Sequence, residues 1–456
     1  MAADRIVRET WATRLGFILA AVGSAVGLGN VWRFPFQVGE EGGAAFLLLY
    51  LGFVLLIGVP AMLVEFTIGR QTDRNPVGAL RSFGGGAWTY VGGLFILIGF
   101  LILSYYSVVA GWVLRYFVGS FTGAYMADPE AYFLGIATGL DALLFHAIFM
   151  GTTVAIVALG VRRGIEYAVK LMVPSIVLIM LGLAVYAATL GGVGEAYTYY
   201  LSPDLDVLSE EWQSIVPAAA GQAFFTLSLG MGVMITYASY LEEDRNLATD
   251  SGIIVGFDTA IAFLTGLIVF PILFTTGIGA ADPGPGAIFV ALAGAFADIQ
   301  YGAIVGILFF GMFSIAALSS AISLLEVVVS FVIDEYNATR SRAAVVVGGG
   351  MFVLGIPVAL LSYGGDPIMV DLYDILAAEI LLVTGGILLM ILVAWIGAEG
   401  AVAELERGIG DLGAWGSLWI WIVRVPVLLV LLVSLVLAID GYLAFLTGDF
   451  TEFLGL

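Results

Sequence analysis

Long apolar runs separated by short polar ones dominate the pattern of this chain. Near 14–36, 44–69, 88–120, 143–161, 166–190, 213–241, 250–277, 301–333, 343–362, 374–398 and 415–446 the residues are mostly apolar. Each run approaches or exceeds the ~20 residues an α-helix needs to cross hydrocarbon about 30 Å thick. Between the runs stand turn formers and charges: Asp128-Pro129, Ser202-Pro203-Asp204, Asp282-Pro283-Gly284-Pro285 and Asp366-Pro367, the punctuation expected at a membrane surface. The first apolar run carries no small-residue cleavage site in a signal-peptide position, so it reads as a span. The pattern predicts an all-α polytopic membrane protein with about 11 transmembrane helices, built as a single membrane domain over 1–456.

Charge asymmetry orients these spans. Arg5, Arg8 and Arg14 precede the first, and Arg70, Arg74 and Arg81 lie between the second and third. Arg162, Arg163 and Lys170 separate the fourth from the fifth, Arg340 and Arg342 the eighth from the ninth, and Arg245 and Arg407 fall in the remaining loops of that side. The opposite loops carry Glu195, Asp204, Asp206, Glu210, Glu211, Asp282, Asp298 and Asp366. The positive-inside rule makes the arginine-bearing face cytoplasmic. With an odd number of spans, the expectation is a multi-pass cell-membrane protein with its N-terminus inside and its C-terminus outside.

Composition narrows the chemistry. Of 456 residues 61% are hydrophobic and 11% charged, where a soluble domain carries about 25% charged residues. Cysteine is absent, which excludes disulfides, iron–sulfur clusters and thiolate metal sites. The single histidine, His146, lies in an apolar stretch and reads as a packed side chain. Neither a nucleophile–base pair nor a metal-ligand cluster is visible, so the chain is not expected to be an enzyme. A net charge of −20 argues against nucleic acid as a partner. Lys170 is the only lysine; an acidic, lysine-poor surface fits a high-salt environment, and a GC-rich genome would equally favour arginine.

Two of the spans are poor helices for their position. The first reads ILAAVGSAVGLGNVWRFP, with Gly23, Gly27 and Gly29 at its centre. The sixth reads AAAGQAFFTLSLGMGVMITYASY, with Ser228, Gly230 and Gly232 at similar depth. Each glycine inside a helix costs about 1 kcal/mol relative to alanine. One reading is close helix packing through small residues. The other is unwound backbone lining a cavity, the only place a membrane tolerates it. Interruptions five helices apart favour the second, because two five-helix halves with matching breaks are the mark of an inverted-repeat transporter. The halves would be 11–190 and 213–398, with 415–446 an additional peripheral helix.

The run WATRLGFILAAVGSAVGLGNVWRFP at 11–35 resembles the first helix of the neurotransmitter:sodium symporter family, and GQAFFTLSLGMGVMITYASY at 221–240 resembles its sixth. SIAALSSAISLLE at 314–326 resembles the eighth. The likeness extends over nearly the whole chain and implies a prokaryotic sodium-dependent amino-acid symporter working by alternating access. A sensor of the same fold that binds without accumulating substrate is the alternative.

An amino-acid zwitterion needs donors at its carboxylate, acceptors at its ammonium and a shaped apolar wall. By the resemblance, the amides of Leu28 and Gly29 and the hydroxyl of Tyr106 face the carboxylate. The helix resuming after the break adds its positive dipole end. Carbonyls of Ala25, Phe225 and Thr226, with the Ser228 hydroxyl, face the ammonium. Ile102, Phe225, Met231, Ser320 and Leu324 form the wall, and Met231 beside Ser228 suggests a pocket adaptable to apolar or aromatic side chains. Two sodium ions are implied. The first falls to Ala25, Asn30, Thr226 and Asp258 with the substrate carboxylate, the second to Gly23, Val26, Ala316, Ser319 and Ser320.

Asp258 departs from the family pattern, where many members carry asparagine. A carboxylate at that depth is functional by default. It could supply the charge that chloride supplies in chloride-dependent relatives, so no chloride requirement is expected. The resemblance also implies gates. On the outer side Arg33 pairs with an acid at the start of the tenth helix, with Asp374 favoured over Asp371 and Gln222 adding a hydrogen bond. On the inner side Arg8 pairs with Asp334. Glu65 and Glu326, also intramembrane acids, are candidates for bracing the broken helices. The expected partners are a small amino acid and the lipid bilayer, and the chain is expected to be a monomer or homodimer.

Overall fold

The computed structural model describes residues 10–242, 245–277, 287–361 and 367–455. Arg8 of the expected inner gate, and Asp282 and Asp366 of the expected outer loops, lie outside them. Among the described residues every regular element is helical. Nine helices are long and apolar enough to cross a membrane: Ala44–Thr72, Gly86–Ser120, Leu140–Ala158, Val161–Ala187, Leu247–Thr275, Gly302–Tyr336, Arg340–Leu360, Ile368–Ile396 and Ala414–Phe453. Two more crossings are interrupted. The first comprises Arg14–Ala25 and Gly29–Glu40, bent by 45°; the sixth comprises Trp212–Thr226 and Val233–Ala238. The crossings are therefore those read from the apolar runs, counted one to eleven below.

Some boundaries move for local reasons. Gly160, at φ 92°, turns the chain so tightly that the fifth span starts at Val161, placing Arg162 and Arg163 in its first turn. The tenth span starts at Ile368, so Asp374 lies well inside it and not at its start. Between spans two and three, Pro76–Gly84 forms a short helix. Asn75 caps it, its Oδ1 accepting from the amides of Val77 and Gly78 at 3.0 and 3.1 Å, and proline opens the first turn, where its missing N–H is harmless.

Four crossings separate the first interrupted span from the second, so the two traverse the membrane in opposite directions, the relation of an inverted repeat. The first half of span one lies against spans five, seven and eight. The first half of span six lies against spans two and eleven, and its second half against spans two and eight. Spans three and eight pack on each other and close the remaining sides of the breaks. Outer spans turn apolar stripes outward: Leu171, Leu178 and Val185 of span five, spaced by seven, are 68–71% exposed, the lipid-facing side of a helix. His146 is packed as expected, with Nδ1 2.9 Å from Ser107 Oγ, Nε2 3.1 Å from the Phe352 carbonyl and its ring stacked on Phe352.

Candidate functional site

The two breaks face each other, and their glycines serve different purposes. In span one the helix stops at Ala25, Val26 is extended, and helical turns resume at Gly29. A Cβ on Gly27 would stand 2.0 Å from Ser320 Oγ and 2.9 Å from Tyr106 Oη, and one on Gly29 would stand 3.1 Å from the Phe225 ring. These glycines permit close approach. In span six Ser228, Gly230 and Gly232 have φ of 53°, 77° and 76°, the left-handed region that glycine enters freely and L side chains avoid. Ser228 is held there by its hydroxyl, which donates to the Ser24 carbonyl at 3.1 Å.

The freed backbone groups find partners. Glu65 of span two, fully buried, accepts from the Gly230 amide at 2.7 Å and the Ile235 amide at 3.3 Å, so it braces the sixth-span break. Gln222 Nε2 donates to the Gly29 carbonyl at 2.8 Å, tying the two breaks together. Glu326 braces neither break. It accepts from Tyr240 Oη and Arg340 Nη1, each at 2.7 Å, where span six ends and span nine begins.

Between the breaks lies a small cavity of about 20 Å³ lined by Ser24, Ala25, Leu28, Gly29, Ile102, Tyr106, Phe225, Ser228, Met231, Ser320 and Leu324. The structure thus brings the residues singled out from the sequence to one place, with two differences. Thr226 does not line the cavity but turns toward Asp258. Ser24 does line it, its Oγ donating to Ser323 Oγ at 2.7 Å and lying 3.2 Å from Ser228 Oγ. Its signal was its position beside Ala25 in the unwinding turn. Also on the cavity, Tyr106 Oη accepts from the Leu28 amide and donates to the Ala317 carbonyl, both at 3.2 Å.

Two oxygen clusters adjoin this cavity. Asp258, fully buried in span seven, accepts at Oδ1 from Asn30 Nδ2 at 2.9 Å, while Thr226 Oγ1 lies 3.2 and 3.1 Å from its two carboxylate oxygens. No basic side chain pairs with it among the described residues. A carboxylate at such depth costs several kcal/mol unless its charge is matched, so this cluster suits a cation. In the second cluster Ser319 Oγ lies 3.3 Å from the Val26 carbonyl and 2.8 Å from that of Ala316, and Ser320 Oγ lies 3.5 Å from that of Gly23 and 2.9 Å from that of Ser24. Carbonyls of the unwinding first span, one carbonyl of the eighth-span helix and two hydroxyls thus stand together, oxygen donors of the kind a hard monovalent ion takes.

Above the cavity Arg33 is 6% exposed. Its Nη1 donates to Gln222 Oε1 at 3.1 Å and its Nη2 to Glu379 Oε1 at 2.9 Å, and the guanidinium stands over the Phe225 ring at 5.2 Å. Asp374, the partner expected from the sequence, is 3.9 Å from Arg33 Nε and takes a 2.5 Å hydrogen bond from Tyr105 Oη. Glu379 was therefore missed as the closer acid. Beyond Arg33 a cavity of about 290 Å³ is lined by Gln37, Glu40, Asp371, Asp374 and Glu379 among others. At the opposite end of the bundle from Arg33, Asp334 accepts from the Asn75 amide and Nδ2 at 3.1 and 3.0 Å. Trp11 covers the bottom, its indole donating to the Tyr237 carbonyl at 2.9 Å, with Arg14 paired to Asp250 at 2.6 Å.

Comparison with known proteins agrees with this architecture. The profile of the sodium:neurotransmitter symporter family matches residues 8–128 and 139–446. A sodium-dependent transporter of Bacillus subtilis is 34% identical over 449 residues, covering 95% of this chain and 98% of its own. One of Methanocaldococcus jannaschii is 33% identical, covering 90% of this chain and 86% of its own. Among solved structures MhsT, crystallised in complex with L-phenylalanine, is 41% identical with a TM-score of 0.86, covering 94% of this chain and all of its own. With matched breaks, two oxygen clusters between them and a match of this extent, the chain is a sodium-dependent membrane transporter and belongs to the sodium:neurotransmitter symporter family.

Proposed function

We propose that the protein imports an amino acid together with two sodium ions by alternating access and that it needs no chloride. The observation that carries this reading is Asp258, a buried carboxylate hydrogen-bonded to Asn30 and Thr226 beside a cavity lined by the hydroxyl-bearing Ser24, Tyr106, Ser228 and Ser320 and by Leu28, whose amide donates to Tyr106 Oη. In the closed site the substrate carboxylate and the first ion neutralise one another across a low dielectric, so each raises the affinity for the other. Asp258 supplies the fixed negative charge that an added anion would otherwise bring. The second ion, held by Gly23, Val26, Ala316, Ser319 and Ser320, ties span one to span eight. Arg33 with Glu379 and Asp374 gates the outer path. The N-terminal segment with Trp11, and Arg8 with Asp334, gate the inner one.

The apolar wall of Ile102, Phe225, Met231 and Leu324, together with the L-phenylalanine bound by MhsT, supports a large apolar or aromatic amino acid as substrate. The cytoplasmic N-terminus and extracellular C-terminus follow from the distribution of arginine. The test is uptake of radiolabelled amino acids into proteoliposomes with and without an inward sodium gradient, chloride being replaced by gluconate. Sodium-driven accumulation in gluconate supports the reading. Binding without accumulation under any gradient would make the protein a sensor, and dependence on chloride would remove the role assigned to Asp258.

A further inference from the structure

Arg424 stands exposed on the lipid-facing side of span eleven, inside a segment that is otherwise apolar from Trp415 to Ile439 apart from Ser417 and Ser434. A charge at such a position is costly unless it reaches the interface or meets an opposite charge. Among the described residues it makes two contacts. Nη2 donates to the Ala394 carbonyl in the last turn of span ten, and the guanidinium lies over the Trp395 ring, 5.3 Å from its centroid. Span ten ends at Ile396, and the helix Ala398–Ile409, with Glu399, Glu404, Glu406 and Arg407, follows. The guanidinium is thus drawn to the end of span ten, where apolar chain gives way to polar, while the turn Val423–Val427 that carries it packs beside Val54–Gly58 of span two. Around it Trp395, Ile396, Leu418 and Trp421 are 42–56% exposed, an aromatic and aliphatic rim of the kind that settles at a membrane surface.

We propose that Arg424 and Trp395 form a binding site for the phosphate of an anionic membrane lipid in the groove between spans ten and eleven. A guanidinium carries five N–H donors, one of which is spent on Ala394. The remaining edge can meet phosphate oxygens bidentately, Trp395 fixes the plane of the group from one face, and the exposed apolar rim accepts the acyl chains. Glu399, near Trp395 on a cavity of the same face, disfavours a free multivalent anion that has no acyl chain to hold it. The site shares no residue with the proposed substrate, sodium or gate positions, so its test does not rely on them.

The experiment is native mass spectrometry of the full chain, released from detergent with phosphatidylglycerol or phosphatidylcholine, for the unmodified protein, Arg424→Gln, Arg424→Lys and Arg407→Gln. The expected result is a retained phosphatidylglycerol adduct that Arg424→Gln weakens by about fivefold, as loss of one basic contact to an anionic surface does. Arg424→Lys, which keeps the charge but loses the fork, falls between, and Arg407→Gln leaves the adduct unchanged. Equal adducts in the unmodified protein and Arg424→Gln would overturn the proposal. So would displacement by soluble glycerol phosphate, which would make the site one for a free anion, or a change in oligomeric mass without a change in lipid, which would make it a contact between copies.

Discussion

Arg33 of span one and Glu379 of span ten meet at 2.9 Å, while Asp374, five residues earlier on the same span, stays 3.9 Å away and is held by Tyr105. In the proposed outer gate Arg33 would thus latch on Glu379, with Asp374 anchored to span three. Glu379→Gln removes the ion pair but keeps a hydrogen-bonding group of the same size. Glu379 is 35% exposed in its side chain, so the loss lies between that of exposed and buried pairs, about 1–2 kcal/mol. We expect KM for substrate to rise about 5- to 30-fold, and less than about threefold for Asp374→Asn, whose amide oxygen still accepts from Tyr105. Because the chain has no cysteine, Gln37→Cys in the outer cavity is a clean reporter. Glu379→Gln in that background is expected to label faster in the presence of sodium and substrate. Equal labelling in both would leave the latch with Asp374.

Replacing Asp258 by Asn keeps the shape of the first oxygen cluster and removes its charge. Sodium then enters a site without a fixed counter-ion, and apparent sodium affinity is expected to drop by about tenfold or more. A small anion can restore the balance, so uptake by Asp258→Asn is expected to be higher in chloride than in gluconate, while uptake by the unmodified protein is the same in both. The measurement is sodium-driven uptake in the two salts. A variant equally impaired in both would show that the carboxylate acts by shape or hydrogen bonding.

How far the sequence could be read depended on the kind of signal. Crossings follow from run length alone, and even the two interrupted ones were visible, since glycine clusters at mid-membrane contradict their apolar surroundings. Both glycine clusters read as interruptions, but the reasons differ: Gly230 and Gly232 take positive φ, whereas Gly27 and Gly29 answer to neighbours from spans three, six and eight, which no local pattern reveals. Glu379 escaped because a regular helix turns it about 140° from Asp374 over five residues. The widened turn Ile375–Leu381 brings positions five apart closer to one face, and composition does not announce such a turn. The strap made by Trp11 on Tyr237 joins residues 226 apart in the chain, a contact that spacing could not suggest.

Glu65 tests whether the sixth-span break is held open by design. It accepts from Gly230 and Ile235, and a Cβ at Gly230 would come 2.6 Å from the Leu382 carbonyl, leaving little room for rearrangement. Glu65→Ala orphans two buried amides at about 1–3 kcal/mol each and is expected to lower the midpoint of thermal unfolding and abolish substrate binding. Glu65→Gln can satisfy one amide at a time and is expected to retain part of both. Thermal unfolding with substrate binding by scintillation proximity checks this. Unfolding unchanged in Glu65→Ala would mean that water serves the break equally well.

Ser319 decides whether the second oxygen cluster holds an ion of its own. Its hydroxyl lies within 3.3 Å of the carbonyls of Val26 and Ala316, joining span one to span eight where the first helix begins to unwind. Ser319→Ala removes one of about five ligating oxygens and leaves the carbonyls in place. An ion bound there stabilises the fold by RT ln(1 + [Na⁺]/Kd), so a tenfold weaker site moves the unfolding curve by about one decade in sodium concentration. Asp258→Asn acts on the other cluster. If the two clusters hold separate ions, the double variant is expected to show the sum of the two displacements, apart from the coupling carried by the substrate. Measured without substrate, the unfolding midpoint against sodium concentration separates the cases. Additive displacements mean two ions, whereas a double variant no worse than Asp258→Asn alone means that the hydroxyl serves only to pin span one, and that transport runs on a single sodium.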